Sequence, residues 1–188
     1  MTPLPKDHDL KAWAALAPEV QPDWFVRPSS LHGIRHTQRV HIHARRLARE
    51  LSWNNADTEL ALTAALWHDI GRTNDGWDPG HGEDSVSRAR ELHMFEALLP
   101  TDAELVAFAL RLHCLPDELG EDEAGRLREQ ELALRVLRLL KDADGLDRVR
   151  LGDWEDLDPA QLRYPQAIDM IPFARDLLKS VTGPSQTV

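Results

Sequence analysis

Six residues of this chain could supply the donor atoms of a metal centre: His36, the adjacent pair His68-Asp69, His81, His113 and Asp144. The pair closes the apolar run Ala64-Ala65-Leu66-Trp67. A His and an Asp adjacent in sequence cannot both point straight into one core. Both can reach a cation at a helix end where the chain bends, and Gly71 is expected to supply that bend. Alone, such a pair means little; the histidines and the carboxylate on either side give it weight. The single cysteine, Cys114, leaves no disulfide framework and no Cys-rich zinc site. An ion here would take nitrogen and oxygen donors, which suit zinc, manganese, iron, nickel or magnesium. Such an ion acidifies bound water and polarises a phosphoryl oxygen.

The elements that must position these residues read as helices. Pro3, Pro5, Pro18, Pro22 and Pro28 break up the first thirty residues into short helices and loops. Val40, Ala44, Leu47 and Leu51 recur at helical spacing and predict a helix from near His36 to Leu51. After Ser52-Trp53-Asn54-Asn55, Asp57 is the expected N-cap of a second helix that ends at His68-Asp69. Residues 71–82 form a long polar loop, of the kind that often carries function in a compact helical domain. A helix follows from near Glu83. The next opens on Thr101-Asp102-Ala103-Glu104, a capping-box pattern, and reaches His113. Beyond a loop around Pro116 and Gly120, one more helix carries Leu134 to Asp144. A last one spans about 172–181, with Pro172 in its first turn.

Helical spacing also sorts the polar residues. His36, His68 and His113 each continue an apolar face, and His43 lies on the inner face as a hydrogen-bonding histidine. His41 shares its face with Gln38, Arg45 and Arg49, which places it toward solvent. Asp142 follows Arg138, Arg135 and Glu131 and reads as a surface residue, whereas Asp144 follows Leu140, Leu137 and Ala133. A carboxylate on an apolar face is costly without a cation or a basic partner. His36, His68, Asp69 and Asp144 explain one another's burial if they share one ion.

At 188 residues the chain is long enough for one domain with a real core. Its net charge of −10, from 22 basic and 32 acidic residues, disfavours a long nucleic acid. There is no apolar leader and no stretch of about 20 apolar residues, so the chain reads as soluble and cytoplasmic, with no membrane partner. Nine histidines are many for this length and need a reason.

Three segments together resemble the HD-domain metal-dependent phosphohydrolase superfamily, whose order is His, His-Asp, Asp. They are His36-Thr37-Gln38-Arg39-Val40, Leu66-Trp67-His68-Asp69-Ile70-Gly71-Arg72 and Asp142-Ala143-Asp144-Gly145-Leu146-Asp147. The resemblance covers roughly residues 30–152, the metal-binding core of a single HD domain over 1–188. It implies an all-α bundle around a divalent ion held by His36, His68, Asp69 and Asp144. In a subset of the family two more histidines precede the final Asp, and Asp bridges two ions; His81 and His113 occupy those places here. The chain is also similar to small bacterial members that hydrolyse nucleotides. That implies cleavage of a phosphomonoester or phosphodiester in a nucleotide or related small molecule, with Asp69, Arg72 and Arg150 as catalytic and phosphate-neutralising groups. Glu83 or Asp84 could act as a general acid, although acids at a helix start are favoured in any case. The Gly-Tyr-Pro motif of the cyclic di-guanylate branch is missing. Thr73-Asn74-Asp75 stands where alarmone hydrolases carry a Glu-Asp pair. The same resemblance admits a di-iron oxygenase, or a nucleotide-binding module without turnover.

Overall fold

Helix-forming signals dominate the chain, and helices are what it forms. The computed structural model describes residues 4–6, 8–27, 29–152 and 157–181, among which no strand occurs. Of the N-terminal prolines, Pro3 and Pro28 lie outside the described residues. The helices are α1 (Leu10–Ala14), α2 (Ile34–Glu50), α3 (Asn55–Trp67), α4 (His81–Glu91), α5 (Pro100–Leu112), α6 (Asp117–Ala124), α7 (Gln130–Leu146), α8 (Pro165–Asp169) and α9 (Ile171–Val181). A 3-10 turn over Asp147–Leu151 continues α7. No described helix is long and apolar enough to cross a membrane.

Helices α2, α3, α5 and α7 pack on one another, with α4 laid against α5. Ala61, Ala64 and Ala65 of α3 have no exposed surface and let its neighbours approach closely. The periodic face of α2 is buried at Val40, Ala44 and Leu47. At the far side α1 packs on α9, where Trp13 meets Phe173 edge to face at 5.9 Å. The Arg46 guanidinium lies 4.0 Å over the Phe173 ring.

Several local expectations change. Asn54, not Asp57, caps α3: its side chain accepts from the Asp57 backbone N–H at 2.9 Å. Helix α4 begins at His81, two residues earlier than the acids alone suggest. Pro100 opens α5, so Thr101 is already inside the helix and makes no capping box. The loop around Gly120 is itself a helix, α6. Gly71 does not adopt a left-handed bend. Its backbone touches α4, and a Cβ there would lie 2.2 Å from Asp84 C and Ser85 N. Gly82 is the matching contact one layer on, where a Cβ would meet Leu110 O at 2.5 Å and Arg111 O at 2.6 Å. These two approaches bring the His68-Asp69 corner, the start of α4 and the end of α5 together.

Two polar residues expected at the surface are buried, His41 and Asp142. Both lie on helix faces that look polar locally and are covered by distant chain. On the His41 face, Gln38 and Arg49 donate to the carbonyls of Pro18 and Pro5 in the N-terminal segment. Burial, helped by Arg45, pushes His41 down to about 3, so the ring is neutral. Asp142 accepts from the backbone N–H of Arg163 at 2.9 Å and of Tyr164 at 2.8 Å, and from Arg163 Nη1 at 3.2 Å. It anchors the returning tail to α7. Asp142→Ala should therefore destabilise the protein by about 1–3 kcal/mol, since a buried carboxylate's hydrogen bonds to the half-buried Arg163 and Tyr164 are lost. Urea unfolding of the purified variant measures this. Stability within about 0.5 kcal/mol of wild type would contradict the anchoring role.

Candidate metal centre

Helix α3 stops at Trp67, and His68 and Asp69 leave it in different directions. His68 Nδ1 turns back to the Ala65 carbonyl at 2.9 Å. A carbonyl only accepts, so Nδ1 carries the proton and Nε2 presents a lone pair. His36, in the first turn of α2, is fixed in the same tautomer: its Nδ1 lies 2.7 Å from Asp147 Oδ2. The two Nε2 atoms face each other at 3.0 Å. In the metal-free protein a proton on His36 Nε2 can bridge to the His68 lone pair, and a shared cation would take that proton's place. The carboxylates complete the group. His36 Nε2 is 3.5 Å from Asp69 Oδ2 and 3.3 Å from Asp144 Oδ1, and His68 Nε2 is 3.6 Å and 3.9 Å from the same oxygens. Donors on one ion at about 2.1 Å stand roughly 3.0–3.5 Å apart, so the spacing fits.

The arrangement repeats beside it. His81 Nδ1 donates to the Asp78 carbonyl at 2.5 Å and His113 Nδ1 to the Leu110 carbonyl at 2.6 Å. Their Nε2 atoms again face each other, at 2.9 Å. Asp69 joins the two groups. Its Oδ2 faces His36 and His68, while Oδ1 lies 3.3 Å from His81 Nε2 and 3.8 Å from His113 Nε2. All six donor residues named from the sequence thus converge on one place.

Two participants escaped sequence reasoning. Asp147 is fully buried and, besides orienting His36, is gripped by Arg39 through Nε at 2.6 Å and Nη2 at 2.9 Å. Its place, three residues after Asp144 and one turn on, was the available signal. His43, expected as a hydrogen-bonding histidine, makes no hydrogen bond among the described residues: its Nε2 stops 3.8 Å from Asp147 Oδ1, and the ring packs edge to face on Phe173. The other is His32, whose Nδ1 is 3.1 Å from Asp69 Oδ2. It precedes the helix, out of reach of a periodicity reading.

Three of the donors, Asp69, Asp144 and His81, line a cavity of about 530 Å³ together with His32, with Arg72, Arg148 and Arg150 around it. Arg72 and Arg150 point at the site but are held by loop carbonyls. Arg72 donates to Asn74 O at 3.2 Å and Gly76 O at 2.7 Å, and Arg150 to Leu31 O and Asp147 O at 3.1 Å each. Trp77, almost wholly exposed, stands among the lining residues. Glu83 and Asp84 are exposed in the first turn of α4 and are not among them.

The family model of the HD domain matches residues 33–149, most of the chain and nearly the span the motifs suggest. The chain belongs to the HD-domain family. HD domains are all-α and bind divalent metals, and the two facing histidine pairs on either side of Asp69 could hold them. No curated protein and no solved structure matches this HD protein.

Charge accounts for how a cation would enter. Without one, burial and Arg150 disfavour a proton on His36, but Asp144, Asp147 and Asp69 outweigh them and push its pKa up to about 10. Burial lowers His68 and His81 to about 4. Asp69 and Asp144 stay ionised: burial alone would raise them, and the surrounding histidines hold both below the usual carboxylate range. Because the His36 value lies above the ordinary 6.5, its stabilising effect on the metal-free protein is complete below about pH 6.5 and lost as pH rises through about 10. A metal must displace that proton. Metal affinity should rise about tenfold per pH unit between pH 7 and 9, with about one proton released at this pair. Calorimetric titration in buffers of different ionisation enthalpy checks it; a pH-independent affinity would contradict the His36 assignment.

Proposed function

We propose that this HD protein is a metal-dependent phosphohydrolase acting on a phosphate ester of a nucleotide or closely related small molecule. The observation that carries the reading is Asp69, a buried carboxylate whose two oxygens each face a pair of imidazole Nε2 atoms beside an open cavity. His36, His68, Asp69 and Asp144 would hold one divalent ion, and Asp69, His81 and His113 a second. When bound, the metal supplies a Lewis acid that activates water and polarises a phosphoryl oxygen. The protein's own groups do the rest. Asp147 and the Ala65, Asp78 and Leu110 carbonyls hold the four Nδ1 atoms and so aim the four Nε2 atoms inward. Arg72 and Arg150 hold the cavity loops and bring positive charge to where phosphate oxygens would lie, with Arg148 beside them. Trp77 offers an exposed ring on which a nucleobase can stack. The volume suits a nucleotide-sized ligand. Metal identity and the choice between monoester and diester are matters for assay.

Two measurements test this reading. In the His81→Ala/His113→Ala double variant the metal content should fall by one ion per chain; unchanged stoichiometry would leave a one-metal site. The second is a panel of nucleoside mono-, di- and triphosphates, cyclic nucleotides and dinucleotides, run with manganese, magnesium, iron, zinc and nickel in turn. Release of phosphate or nucleotide should be lost in His68→Ala and Asp69→Ala, by about a hundredfold or more. Oxygen consumption by an iron-loaded sample would instead support the oxygenase, and no turnover by metal-loaded protein would support a binding module.

A further inference from the structure

We propose that His32 is a fifth protein donor to the ion of His36, His68, Asp69 and Asp144, an inference that rests on the metal reading of this site. His32 sits just before Gly33, the N-cap of α2, one turn ahead of His36. Its side chain is largely buried, 14% exposed, and lines the cavity floor. The ring meets His36 edge to face at 5.6 Å, so the two imidazoles converge. His32 Nδ1 has two polar neighbours, Asp69 Oδ2 at 3.1 Å and Arg150 Nη2 at 3.3 Å. They make opposite demands, because a carboxylate accepts and a guanidinium only donates. Arg150 is fixed independently by the Leu31 and Asp147 carbonyls. With Arg150 held elsewhere, Nδ1 can donate to Asp69 in the metal-free protein, and the same nitrogen would turn a lone pair to a cation beside Asp69 Oδ2. His32, His36 and Asp69 each present a donor within 4.8 Å of the others.

The consequence is a division of labour. Five protein donors would leave the first ion less room for water or substrate than four would. The partner ion, with His81, His113 and Asp69 Oδ1, keeps more.

The test uses the whole chain, stripped of metal and reloaded with cobalt(II), without substrate. His32→Ala and His32→Gln should both shift the visible ligand-field bands and change their intensity. Added imidazole should return the His32→Ala bands toward the wild-type form. Melting and circular dichroism confirm that the variants are folded, and the glutamine variant, able to hydrogen-bond Asp69 but a poor ligand, covers failure of the alanine one. Wild-type bands in either folded, loaded variant would overturn the role of His32, reducing it to a group leaning on Asp69, while leaving the metal reading intact. A wild-type protein that takes up no cobalt would overturn both.

Discussion

One carboxylate organises this molecule. Asp69 is 3% exposed, and an ion buried that deeply must find positive partners on every side. Its two oxygens point opposite ways, so partners must arrive from opposite directions. Helix α2 brings His36 from one side; α4 and α5 bring His81 and His113 from the other. Helix α7 adds Asp144 and the turn with Asp147. The packing of the four central helices can be read as the arrangement that lets four chain segments reach one anion. The apolar core stabilises the bundle, but its shape follows from this convergence.

The arginines illustrate how a polar interior is kept in order. Arg39 neutralises Asp147 through two hydrogen bonds, and Asp147 in turn fixes the tautomer of His36. Arg72 and Arg150 grip carbonyls of the segments that wall the cavity. A guanidinium has five donors in a rigid fork, so it can hold a loop and still lend its charge to the site. Positioning and electrostatics therefore come from the same residues.

Much of the site was legible because a helix writes its faces into its sequence. The apolar company of His36 and His113 said that they are buried, and they are; Asp144 reaches the same centre but keeps 34% of its side chain exposed, because it also faces the open cavity. Periodicity sees one helix at a time, however, and cannot tell what comes to lie on its outer face. His41 and Asp142 looked solvated for that reason: the segments covering them are the N-terminal chain and the returning tail around Arg163. His32 stands before its helix begins, where no period exists to read. Asp147 sits in the turn beyond α7, and only its distance from Asp144 hinted at it. Gly71 was noticed for the wrong property, conformational freedom, when what the fold uses is its missing side chain.

That missing side chain reaches further than local packing. At Gly71 and Gly82 main chain rests directly on main chain, with no flexible group between. Side chains can swing to suit a guest; two backbones in contact cannot. The gap between the His36–His68 pair and the His81–His113 pair is thus a fixed gauge, cut by glycine rather than adjusted by rotamers. A side chain added at either glycine would push the two pairs apart, and the shared reach of Asp69 between them would be lost.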